Sequence, residues 1–96
     1  MYIKSAQWLY LKSVNSNIRD LSAKLNLEER TVENLLIGDA CPSSEEILHY
    51  IKGFDLNSDE TIELITVVAE DLEMSPKAIY DSVVEKMVVM TEGLGL

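Results

Sequence analysis

The stretch from Asn17 to Leu56 constrains this chain most, because side-chain chemistry marks helix starts and stops there at close intervals. Asn17 has a short side chain that can accept a backbone N–H, so it can cap a helix over Ile18 to Leu25. Asn26 tolerates the left-handed backbone that ends a helix. The tight turn Leu25-Asn26-Leu27 then leads to a second helix from about Glu29 to Ile37, ended by Gly38. Pro42-Ser43-Ser44-Glu45-Glu46 opens a third, with Ser43 and Glu46 spaced as a capping box. Two short helices joined by such a turn have the spacing of a helix-turn-helix. The second of them begins Glu28-Glu29-Arg30-Thr31-Val32-Glu33-Asn34, and three of these residues are carboxylates. That charge argues against ordinary binding to DNA.

Ninety-six residues with 47% hydrophobic content suffice for one domain with a core. With only two prolines and four glycines, and apolar residues mostly at helical spacing, the chain is predicted to be all-α. The expected architecture is a five- or six-helix bundle containing a helix-turn-helix, with a C-terminal helical hairpin. Residues 1–57 would form the helix-turn-helix domain. Residues 58–96 would form the hairpin, either packed on the first part or used for oligomerisation.

The net charge is −9. Residues 58–96 hold nine carboxylates against two lysines, and residues 15–57 hold eight against four basic side chains. No segment is a basic footprint of the kind nucleic-acid binders carry. An acidic surface repels phosphate and suits a basic protein partner, although it also describes a plain solvated surface. The single cysteine, Cys41, excludes an internal disulfide and fits a reduced cytoplasm. Met1 to Tyr10 is interrupted by Lys4, Ser5 and Gln7, unlike a signal peptide. No apolar run approaches a membrane span, so a cytoplasmic location is expected.

Apolar spacing assigns the core. The first helix, about Ile3 to Val14, is predicted to bury Ala6, Leu9 and Tyr10, with Trp8 off the stripe or at its edge. The second buries Ile18, Leu21, Ser22 and Leu25, and Leu27 plugs the turn. The third sends Val32, Leu35 and Leu36 inward and Glu29, Arg30, Glu33 and Asn34 outward. The fourth, Ser44 to Lys52, buries Ile47, Leu48 and Ile51 and stops at Gly53, with Phe54 and Leu56 closing the bundle. Asn57 or Ser58 caps a fifth, Asp59 to Glu73, whose stripe is Ile62, Ile65, Val68, Ala69 and Leu72. Ser75-Pro76 starts a sixth that runs to about Glu92 and stops at Gly93, leaving residues 93–96 to fray.

This last helix has two apolar stripes: Ile79, Val83, Met87 and Met90, then Tyr80, Val84 and Val88. A surface helix needs one. Either the helix is sandwiched within the monomer, or Tyr80, Val84 and Val88 form a dimer or partner interface.

Signs of catalysis are missing from the sequence. It has no Gly-rich phosphate loop, no His or Cys pairs at metal spacing and no nucleophile elbow. His49 stands alone, and Cys41 has no histidine near it in sequence. Asp55, Asp59, Glu60 and Glu63 lack the calcium-loop pattern and fall partly on a helix start, where acids favour the dipole. No enzyme activity, cofactor or metal is expected.

From about Ile3 to Leu56 the chain resembles the lambda-repressor-like, or Xre-type, helix-turn-helix family. The residues that carry the likeness are Leu21-Ser22-Ala23-Lys24-Leu25-Asn26-Leu27, Thr31-Val32, Gly38, Pro42-Ser43, Ile47-Leu48 and Phe54-Asp55-Leu56. In that family a small residue is followed by a leucine three on, a turn, and a β-branched residue that seats the recognition helix. Ser22, Leu25, Leu27 and Val32 keep those offsets. The departures lie on the side that would face DNA. Ile18 stands where the family usually has glutamine, and Glu28 where it usually has serine. Glu29 and Glu33 replace the usual polar or basic side chains, which leaves Arg30 and Asn34 as base readers. A weaker echo of the offsets runs through Ala69, Leu72, Met74, Ser75 and Ile79, read either as an ordinary helical hairpin or as a second such unit.

The resemblance implies transcription control, and the charge modifies how. The leading expectation is a regulator of antirepressor or repressor-modulator type, as in phages or mobile elements, that binds a transcription factor or repressor. Its recognition surface would be Glu29, Arg30, Thr31, Glu33 and Asn34. The alternative is a dimeric repressor that reads DNA through Arg30, Thr31 and Asn34. A third is a module that only oligomerises.

Overall fold

The computed structural model describes residues 1–93 in backbone and residues 1–89 in side chain. Among the described residues there are six helices and no strand: α1 Ile3–Lys12, α2 Ile18–Leu25, α3 Glu29–Ile37, α4 Ser44–Gly53, α5 Ser58–Leu72 and α6 Pro76–Gly93. Local chemistry sets most of the boundaries. Asn17 Oδ1 accepts the Asp20 N–H at 2.8 Å, and Asn26 ends α2 at φ 53°. Ser43 and Glu46 close a reciprocal capping box on α4, and Asn57 with Glu60 closes another on α5. Asn57, not Ser58, is therefore the cap. Ser75 Oγ accepts the Ala78 N–H at 3.2 Å ahead of α6. α6 is described as far as Gly93, the residue at which the sequence predicted its stop. The fraying expected beyond it, and the side chain of Met90, lie outside the described residues.

α1 has no cap of its own. Tyr2 precedes it without a side-chain bond, and its first turn holds no acid. Asp71, near the end of α5, takes that role and accepts the Ser5 N–H at 2.7 Å and the Lys4 N–H at 3.2 Å. Ion pairs Lys4–Glu70 and Lys12–Glu60 flank this contact. Rising numbers on α1 meet falling numbers on α5, so the two helices run antiparallel. α3 packs on the α1 side and on α2, while α6 packs on α4 and α5.

One continuous core joins these elements. Leu9, Leu21, Leu25, Val32, Leu35, Ile47, Leu64 and Val68 are its most buried aliphatic side chains. The radius of gyration, 13.0 Å, is that of a single domain of this length, about 13 Å for 100 residues. Trp8 is 4% exposed and stacks on Tyr50 with ring centroids 5.8 Å apart; Phe54 meets both rings edge-on. This corrects the predicted stripe of α1: Trp8 is core and Tyr10 is 62% exposed. A parallel correction applies to α5, where Leu64 is buried and Ile62 and Leu72 are exposed. Ile65, Val68 and Ala69 are buried as expected. On α4 the fully buried residues are Ile47 and Tyr50, with Leu48 and Ile51 half-buried against the core. Ile18 and Ser22 on α2 are only half-buried.

The two structurally demanding glycines act differently. Gly38 ends α3 at φ 83°, a left-handed conformation. Gly53 is the last residue of α4, as predicted, and it also sits at a close crossing with the end of α2. A Cβ there would stand 2.7 Å from the Lys24 carbonyl oxygen. At the same corner the His49 Nδ1 donates to the Leu25 carbonyl oxygen at 2.9 Å, so this lone histidine ties α4 to α2.

Gly53→Ala tests that crossing. Alanine is favoured over glycine in a helix by about 1 kcal/mol, whereas overpacking costs about 1–3 kcal/mol. Because the obstructing atom is backbone, net destabilisation is expected in a urea melt. A more stable variant would contradict the close approach.

Candidate recognition surface

The exposed face of α3 is built outward from a buried seat. Val32 and Leu35 are 0% and 2% exposed, and they anchor the helix against the core. The preceding turn is held by Ser22, whose hydroxyl donates to the Leu27 carbonyl, while the Leu27 N–H bonds the Ser22 carbonyl at 3.1 Å. Ser22 thus supplies a hydrogen bond as well as small size, which spacing alone did not reveal. Leu27 is half-buried against the core. At the other end three N–H groups, from Gly38, Asp39 and Ala40, converge on the Asn34 carbonyl.

With the seat inward, Glu29, Arg30 and Glu33 are exposed, and Thr31 and Asn34 are half-buried. All five side chains expected to form a recognition surface therefore belong to one helix, three of them fully open to solvent. Glu28 precedes the helix without a side-chain capping bond. Glu28 and Glu29 lie at the positive end of the α3 dipole, which they favour. A phosphate approaching that end would meet two carboxylates first. Arg30 forms no ion pair among the described residues. The arrangement is suited to accepting hydrogen bonds and cations and poorly suited to a phosphate backbone.

The other expected surface lies on α6. Tyr80, Val84 and Val88 are 55%, 36% and 51% exposed. The companion stripe splits: Ile79 and Val83 are buried, whereas Met87 is half exposed. Beyond Val83 the described part of α6 has no buried residue. α3 and α6 pack on different helices, so the two surfaces are not one site.

The remaining reactive groups lie outside both surfaces. Cys41 is half-buried with its Sγ 3.6 Å from the Ser5 hydroxyl, and burial pushes its thiol up from its ordinary value. That weakens it as a nucleophile. Burial likewise raises the Tyr50 hydroxyl far above its usual range. Glu60 is held below the ordinary carboxylate range by Lys12 and by the Asn57 N–H, which fits a capping role. Among the described residues no three His, Cys, Asp or Glu side chains are placed to hold a metal ion. Among them, too, no helix is long and apolar enough to cross a membrane.

The seat and the outward face of α3 can be separated by substitution. Val32→Ala is expected to destabilise the fold by about 1–3 kcal/mol through cavity and lost transfer energy. Asn34→Ala, which breaks no observed side-chain hydrogen bond, should stay within about 0.5 kcal/mol. Denaturant melts of the two variants check this. Equal destabilisation would mean that Asn34 is part of the packing, not of the surface.

No family model matches the chain, and neither does any curated protein or solved structure.

Proposed function

We propose that this protein is a small transcription-control protein on a helix-turn-helix scaffold that acts by binding another protein. In this reading residues 1–57 are the helix-turn-helix part, and α5 with α6 is a helical hairpin appended to it. The partner is a repressor or other transcription factor, in the manner of an antirepressor from a phage or mobile element. The observation that carries the reading is the outward face of α3. Its buried seat resembles that of a recognition helix, yet Glu29 and Glu33 project where phosphate attraction would be needed. Binding to DNA draws much of its affinity from Lys and Arg displacing counterions. This face repels phosphate and attracts the basic surface of a DNA-binding protein, with which it would compete for that surface.

A second reading is supported by Arg30, which is exposed and forms no ion pair among the described residues, and by Asn34 one turn further on. Arginine can bind guanine and asparagine adenine in a bidentate fashion. In that reading the protein is a dimeric repressor.

Titration against the DNA flanking its own gene, at moderate salt, distinguishes the two. Weak binding without sequence preference is expected. Glu29→Lys combined with Glu33→Lys should strengthen it, because two repulsions become attractions. Nanomolar, sequence-specific binding by the unmodified protein would overturn the protein-partner reading.

The exposed stripe Tyr80, Val84 and Val88 is the proposed self-association or docking seam of α6. Val84→Asp places an unpaired charge in such a seam, a change that typically costs several kcal/mol. Sedimentation should show a smaller species with unchanged helicity. An unaltered species would remove this stripe from the interface, and unfolding would make it part of the monomer core.

A further inference from the structure

We draw no further inference here: the strongest candidate, the exposed apolar surface patch that Ile3, Tyr10, Leu11 and Val14 form along α1 and just past its end, is an unpartnered face, and nothing in the structure shows what covers it.

Discussion

The first turn of α1 is completed by a carboxylate from the far side of the chain, and the tertiary arrangement depends on that contact. Asp71 accepts two N–H groups that α1 cannot satisfy locally. Loss of a helix cap typically costs about 0.5–2 kcal/mol. The contact also fixes direction: with Lys4 at Glu70 and Lys12 at Glu60, α5 can lie along α1 in only one sense and register. That register brings Leu64, Ile65 and Val68 into the core beside Trp8 and Leu9. The Lys4–Glu70 pair is solvent-exposed and adds little by itself, and the Lys12–Glu60 pair is only half-buried; the backbone cap and the apolar burial carry the arrangement.

Charge divides the surface by task. Acids at the starts of α3, α4 and α5 favour their helix dipoles. Glu46, Glu60 and Asp71 are tied into caps, and Glu70 into an ion pair. Glu29 and Glu33 have no such bond among those observed, and both are exposed on α3.

What was legible in the sequence follows from the range of each interaction. Asn17, Ser43 and Asn57 act on N–H groups three residues away, so the starts of α2, α4 and α5 could be read directly. Val32, Leu35, Leu21 and Leu25 were legible because their helices have one clear apolar face. α1 does not: Trp8, Leu9, Tyr10 and Leu11 are consecutive, and their spacing fits more than one stripe. Its buried face was decided by Tyr50, Phe54 and α5, all distant in sequence. Ile62 and Leu64 on α5 were exchanged for the same reason, since that helix packs on α1 and α6 at once. Gly53 was legible as the end of α4, and α4 ends there. The crossing that requires it becomes visible only when Lys24 is in place. The outward face of α3 was readable, because Val32 and Leu35 fix which side of the helix is buried.

The distance between Ser5 and Asp71, 66 residues, has a consequence during synthesis. At about 5–20 residues per second, α5 follows α1 out of the ribosome by roughly 3–13 s. Through that interval α1 has neither its cap nor the α5 side of its core. Trp8 and Leu9 stay uncovered on that side, while α2 already has its Asn17 cap, α3 its Gly38 stop, and each has the other. The nascent chain therefore passes through a stage in which α3 can be in place before α1 is.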